Sequence, residues 1–300
     1  MMRFLLPLLL LMLTACGSRN PADADVADTA TTVTDDTGAF GGLALYTLRD
    51  TMAGDPRAVL QRVAELGYAY VEAAGYRDGK FYGMSPTEFK AALDAVGLKP
   101  MSSHHGDITV ETAEQVAGDL KAAGFEYLVI PVPPMGAFSF DPATRTLSMN
   151  QPMETVMDNI NAIAENAAKA GIRTLYHNHD FEFRPNEDGL TPIDYFLENS
   201  DPERLNFQMD LYWVTKAGAD PLDYFARYPG RFKAWHVKDM DEQGRFAPVG
   251  EGTIDFARIL AAREQSGMEF YLVEQDQTFN ETPLEAISIS HEGLEEIGFN

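Results

Sequence analysis

The sequence predicts a closed (β/α)8 barrel, and three observations carry that prediction. From Phe40 onward, short runs rich in Val, Ile, Leu and Tyr alternate with longer amphipathic stretches. The spacing is roughly thirty residues, the rhythm of successive βα units. The pattern helix–Gly–strand recurs as ELGYAYVEA, AVGLKPMSS, AAGFEYLVI and KAGIRTLYH, the loop chemistry of a parallel α/β protein. Eight strand candidates fall within roughly 250 residues, which favours closure over an open doubly wound sheet. No Gly-x-Gly-x-x-Gly turn follows the first of them, as a dinucleotide fold would require.

The elements follow in order. The first strand is Leu43–Leu48, and the helix Asp55–Leu66 then opens on an acidic cap with Pro56 in its first turn and stops at Gly67. The second strand is Tyr68–Ala73. Its helix, Ser85–Val96, opens with the capping-box pattern Ser-Pro-Thr-Glu and stops at Gly97. The third strand, Lys99–His104, leads to the helix Glu111–Ala123 and Gly124. The fourth, Tyr127–Val132, runs into a long connection, Pro133–Asn150, rich in Pro, Gly, Met and Phe. A connection after a strand lies on the catalytic face of a barrel, so this one is a candidate lid. The helix Met153–Ala170 ends at Gly171, and the remaining strands are Arg173–His179, Asn206–Tyr212, Lys233–Lys238 and Glu269–Gln275. A helix at Asp255–Gln265 separates the last two.

Residues ahead of the barrel read as targeting and tether. Arg3 precedes an apolar run, Phe4–Leu13, too short to span a bilayer but suited to a secretory signal. Leu13-Thr14-Ala15-Cys16 resembles a bacterial lipobox, which implies cleavage before Cys16 and acylation of its thiol and new amine. An ordinary buried cysteine is the alternative. From Ser18 to Gly38 the chain is mostly Ala, Thr and Asp without an aromatic residue, a composition that cannot offset its ordering entropy. The expected organisation is thus a signal peptide at 1–15, an acidic lipid-anchored linker at 16–38 and the barrel at 39–300, exported and held at a membrane. Cys16 is the only cysteine, so the fold relies on its core rather than on disulfides.

The chain carries 46 acidic and 23 basic residues, a formal charge of −23. A field of that sign repels phosphodiesters and anionic lipids, so nucleic acid is excluded as a partner and the membrane is reached through the anchor alone. A small sugar is the expected partner, and a homo-oligomer is compatible with the fold.

In a barrel, polar residues at the carboxyl ends of the strands carry the chemistry. The last four strands end in Tyr176-His177-Asn178-His179-Asp180, Met209-Asp210-Leu211-Tyr212, Trp235-His236-Val237-Lys238-Asp239 and Val273-Glu274-Gln275. Neighbouring strands lie about 4.8 Å apart, so His177, Asp210, His236 and Glu274 can converge on one ion. Two imidazoles with two carboxylates suit Mn²⁺, Zn²⁺, Co²⁺ or Fe²⁺ better than Mg²⁺ or Ca²⁺. Each residue alone would more commonly be a hydrogen-bonded rim or core group; four at matching positions point to a metal site.

The pieces YHNHDFEF (176–183), HVKD (236–239) and VGEGTIDF (249–256), within a span from LYTLRD (45–50) to VEQD (273–276), resemble the xylose-isomerase-like barrel superfamily. That superfamily includes sugar phosphate isomerases and epimerases, inosose dehydratase and apurinic endonucleases. The resemblance implies a metal held by Glu, Asp, His and Glu, of which the last three map onto Asp210, His236 and Glu274. The first falls on His177, so an epimerisation by two metal-bound glutamates is not implied here; Glu274 alone keeps that acid–base role. By the same pattern His104 rather than His105 is the further base or orienting group, with a rim histidine bonded to a carbonyl as the alternative. Lys238, sharing parity with His236, is a candidate oxyanion partner or an exposed lysine. His179 is expected to orient substrate or a ligand. Glu72 is a further polar candidate for substrate contact. Glu182 is a candidate base on the loop after strand five, or a solvated carboxylate. Trp213 offers a stacking face to a sugar, or packs in the core.

These residues imply a divalent-metal-dependent isomerase or epimerase acting on an unphosphorylated sugar or keto-sugar. Proton abstraction beside the carbonyl would pass through a metal-stabilised enediolate. Elimination from 3-keto-glycosides with the same site is the second expectation, and a lipid-anchored sugar-binding protein the non-enzymatic one. An apurinic endonuclease would need more metal ligands and a cationic groove.

Overall fold

A computed structural model describes residues 38–300 except 145, 187 and 188. The expected signal segment, Cys16 and the tether as far as Thr37 lie outside the described residues. Among the described residues no helix is long and apolar enough to cross a membrane.

Eight parallel strands close on themselves: β1 (Gly42–Ala44), β2 (Tyr70–Ala73), β3 (Lys99–His104), β4 (Tyr127–Ile130), β5 (Arg173–His177), β6 (Leu205–Asp210), β7 (Phe232–Val237) and β8 (Phe270–Val273). Each strand pairs with its sequence neighbours, and β1 pairs with β8 to seal the barrel. Every expected strand run overlaps one of them. The first is shorter than expected, because Leu45–Leu48 forms a 3-10 turn. Leu45 and Leu48 are both buried. A strand would send residues three apart to opposite faces, whereas a 3-10 turn keeps them on one.

The helices expected at 55–66, 85–96, 111–123 and 153–170 are present as Pro56–Glu65, Pro86–Asp94, Ala113–Ala123 and Met153–Lys169. The one expected at 255–265 is divided into Phe256–Leu260 and Arg263–Ser266. Pro192–Glu198, Leu211–Lys216, Pro221–Arg227 and Pro283–Ile297 were not anticipated. Three of those four open on a Thr or Asp cap followed by Pro, the signal already used at Asp55-Pro56. Two of these three are only 7 residues long, too short for a periodic stripe to show.

Inside the barrel, Tyr127, Val129, Leu175, Ala234, Phe270 and Leu272 form an apolar plug. A larger apolar shell fills the space between strands and helices. Above the plug the inward positions turn polar, with Glu72, Ser102 and Gln208 fully buried. Buried polar groups of this kind must find partners among themselves. The 133–150 connection folds into an antiparallel hairpin of Phe138–Asp141 and Thr146–Met149 with Phe140 opposite Leu147.

Candidate metal centre

β5 ends at His177, β6 ends at Asp210, His236 is the penultimate residue of β7, and Glu274 follows β8 directly. In the ladder His177 pairs with Gln208, Asp210 with His236, and Val237 with Val273. The four residues are therefore not level in register. Asp210 and His236 are level, while Asp210 stands one inward position above His177 and Glu274 one above His236, and the tilt of barrel strands brings these steps together. One donor atom from each of His177, Asp210, His236 and Glu274 lies within 4.8 Å of all the others, and all four residues are buried.

The surroundings orient these donors. His177 Nδ1 donates to Gln208 Oε1 at 2.9 Å, which leaves Nε2 facing Asp210 Oδ2 at 3.8 Å. His236 Nε2 contacts Glu72 Oε1 at 2.8 Å, which leaves Nδ1 facing Glu274 Oε2 at 3.0 Å. Asp210 Oδ1 accepts from the Trp213 N–H at 2.9 Å and caps the helix that follows. Its other oxygen, Oδ2, is buried, faces both histidines at 3.8 and 3.9 Å and has Lys238 Nζ at 3.0 Å. Anchoring one ring nitrogen while the other faces the remaining donors is the arrangement that metal-binding histidines require.

The electrostatics agree. Burial, then the neighbouring histidines, pushes His177 well below the usual imidazole range, so it is a neutral donor. Burial raises Asp210 to about 6 against the pull of Lys238 and His236. Burial would also depress His236, but Glu274 and Glu72, one at each ring nitrogen, push it up to about 10. A proton between His236 and Glu274 thus balances part of the surplus of carboxylates, and a cation in its place would balance more. Lys238 is buried with Nζ 3.0 Å from Asp210, 2.6 Å from Glu274 and 2.9 Å from Asp276, and these carboxylates hold it cationic despite burial. Glu72, Asp210, Glu274 and Asp276 outnumber that one lysine. The donor set fits a divalent cation of the Mn²⁺, Zn²⁺, Co²⁺ or Fe²⁺ class.

A cavity of about 300 Å³ opens above these donors, lined in part by Tyr46, His104, His177, His179, Lys238, Glu274 and Asp276. His104 faces it, and its Nε2 lies 3.0 Å from Gln208 Oε1 and 2.9 Å from Glu72 Oε1. His105 points away, buried against Tyr76. His179 lines the mouth, and burial followed by Lys238 lowers it to about 3, so it is neutral. Trp213 stands beside it with 5.4 Å between ring centres.

Two expected roles are corrected. Glu72 does not reach the cavity; it lies beneath it at 1 % exposure, bonded to His104, His236, Ser102 and Gln208. It orients histidines instead of touching substrate. Glu182 is neither a base at the site nor solvated. It is fully buried in the 3-10 turn Phe181–Phe183, where Tyr176 Oη donates to it at 2.7 Å and the His179 N–H at 2.8 Å. Tyr176 has the opposite parity to His177, so this carboxyl sits outside the barrel wall. The alternative of an exposed Lys238 is also excluded.

Gln208 and Asp276 were missed. Each lies two residues from a ligand candidate on the same strand end, so the parity that selected Asp210 and Glu274 also marks them. Tyr46 carries no such signal, because it reaches the cavity from the 3-10 turn.

A model of the xylose isomerase-like TIM barrel family matches residues 60–287, well over half of the chain. The chain belongs to that family. The family includes sugar isomerases, epimerases and dehydratases. Inosose dehydratase from Lacticaseibacillus casei is 26% identical over 144 residues, 41% of this chain and 47% of that protein. The chain spans about half the length of the curated relatives it matches. A sugar phosphate isomerase/epimerase from Parabacteroides distasonis superposes with a TM-score of 0.74 at 25% identity, over 87% of this chain and 99% of that one. A second from the same organism gives 0.70 at 28% identity, over 90% and 98%.

Proposed function

We propose that this protein is an exported, lipid-anchored enzyme that transfers a proton beside the carbonyl of an unphosphorylated sugar or keto-sugar, with isomerisation or epimerisation as the outcome. The observation that carries this reading is the convergence of His177, Asp210, His236 and Glu274 beneath an open cavity. These four residues would hold one divalent metal. When bound, such an ion supplies Lewis acidity that makes a C–H beside a carbonyl easier to ionise.

The chain's own groups do the rest. Glu274, kept ionised by Lys238 and His236 although burial opposes it, is the base on the β7–β8 wall. Lys238 presents positive charge to an oxygen that gains negative charge during transfer. His104 and His179, on the opposite wall, orient hydroxyls, and His104 is placed to return a proton. Among the residues lining the cavity Lys238 is the only lysine or arginine, and three carboxylates already hold it. That supports a substrate without phosphate, as do the acidic charge and the expected export.

The second reading is β-elimination from a 3-keto-glycoside. Its specific support is the asymmetry of the cavity lining, with Lys238, Glu274 and Asp276 at the ends of β7 and β8 and His104, His177 and His179 at the ends of β3 and β5. Such a pair suits one base and one leaving-group acid.

The test is elemental analysis of the purified mature domain, with turnover of a keto-sugar panel before and after chelation. One bound ion per chain, and loss of both ion and turnover in Asp210→Ala, are expected. A metal-free protein whose sugar binding ignores Asp210→Ala would instead establish the binding-protein alternative. Aglycone release from a 3-keto-glucoside would establish the lyase. For the anchor, Cys16→Ser is expected to move the protein from the membrane to the soluble fraction.

A further inference from the structure

We infer that the metal cavity continues into a second compartment that holds a ring carried on the sugar, so that the substrate is a glycoside rather than a free monosaccharide. The inference rests on the proposed sugar chemistry and adds the part of the molecule that recognises the rest of the substrate. The second compartment is about 260 Å³ and shares Tyr46, His179 and Asp276 with the first as common walls. Either space alone lies at or below the lower end of about 300–1,000 Å³ typical of small-molecule sites, whereas the two joined fall within it.

The two compartments differ in chemistry. The first is polar and ends on the four donors. The second has Phe140, Leu147, Trp213 and Phe246 as its apolar walls, with Arg49, Asp180 and Gln277 in the rest of its lining. Trp213 and Phe246 stand edge to face, 5.7 Å apart at 82°, and form two sides of a slot. The hairpin supplies a third side, because Phe140 and Leu147 are cross-strand partners and both line the compartment. Phe140 is 55% exposed, an apolar ring left in water at the edge of a cavity. The Trp213 indole N–H is buried without a partner, a donor held in reserve at the same place. Flat apolar walls with one spare donor recognise a ring with an apolar face and a polar edge, which an aryl group and a second pyranose both offer.

The experiment is calorimetric titration of the Mn²⁺-loaded protein with methyl β-glucoside, phenyl β-glucoside and methyl β-cellobioside, none of which has the carbonyl needed for turnover. A second ring is expected to tighten binding about 3- to 10-fold over the methyl glucoside. Phe140→Ala, a change at an exposed hairpin position, is expected to abolish that gain and leave the methyl glucoside unaffected. A gain for the phenyl ligand alone identifies an aryl group as the occupant, and a gain for methyl β-cellobioside alone a sugar. Equal affinity for all three ligands, no binding of any, or an equal loss for all three in Phe140→Ala overturns the inference. Mn²⁺ titration run in parallel separates the failures: if Mn²⁺ itself does not bind, the proposed metal chemistry falls too.

Discussion

At the scale of single residues, Glu72 connects the two ends of the site. One of its oxygens contacts both His104 and His236, and the other accepts from Ser102 and Gln208. Burial would raise this carboxyl, yet the two histidines hold it well below the usual range. Its ionised form keeps the Nε2 proton on His236 and so leaves Nδ1 for the centre. Glu72→Gln preserves the volume and removes that bias. Metal affinity measured by titration is expected to fall about 10- to 100-fold while the circular dichroism spectrum stays unchanged. Undiminished affinity would remove Glu72 from this role. Glu182 acts on stability. Burial raises it from 4.5 to about 8 against hydrogen bonds from Tyr176 and two backbone N–H groups. As pH climbs through that window the unfolded chain releases the proton and the folded one retains it. Stability is therefore highest below the lower value and declines toward the upper. The loss is on the order of a few kcal/mol. Melting temperatures across this range should fall more steeply in the native protein than in Glu182→Gln; parallel curves would contradict the assignment. Which side of the wall Glu182 takes was not legible, since parity stops informing once the strand ends.

At the scale of elements, the VGEGTIDF segment shows what a motif does physically. Asp239, one residue past Lys238, accepts from the backbone N–H groups of Gly250, Gly252 and Ile254. A Cβ on Gly252 would lie 2.1 Å from Asp239 Oδ1, so only glycine allows that approach. The helix Pro283–Ile297 presses Gly293 against the same loop, where an added Cβ would come within 2.0 Å of the Val249 carbonyl oxygen. Gly293→Ala forces helix and loop apart and is expected to cost about 1–3 kcal/mol. Urea denaturation reads this directly, and an unchanged midpoint would mean that the helix shifts freely. The motif was visible in the sequence, but its partner helix was not assigned although Thr282-Pro283 and Glu285 form a capping box.

At the scale of the whole molecule, the candidate centre takes one donor from each of four strand ends, so an ion bound there would join the last half of the barrel to itself. An ion at a hundred times its dissociation constant stabilises the folded state by about 2.7 kcal/mol. For a domain of this size that corresponds to about 5–10 °C in melting temperature. Chelation is expected to lower the melting temperature of the metal-loaded protein by that amount and Mn²⁺ to restore it. Asp210→Ala should show neither shift. If chelation leaves the native protein's melting temperature unmoved, no ion bridges these strands.

The order of the eight strands, the closed barrel and the candidacy of His177, Asp210, His236 and Glu274 followed from the sequence alone. Each depends on local periodicity: glycine after each helix, apolar strand runs, and alternating parity at strand ends. The tertiary structure decided the rest. It buried Lys238 among three carboxylates, set Glu72 under the histidines, turned Glu182 outward and brought Phe140 and Leu147 of the hairpin to the compartment that Trp213 lines. Those outcomes depend on strand tilt, register and loop packing between segments far apart in the chain, which no local pattern encodes.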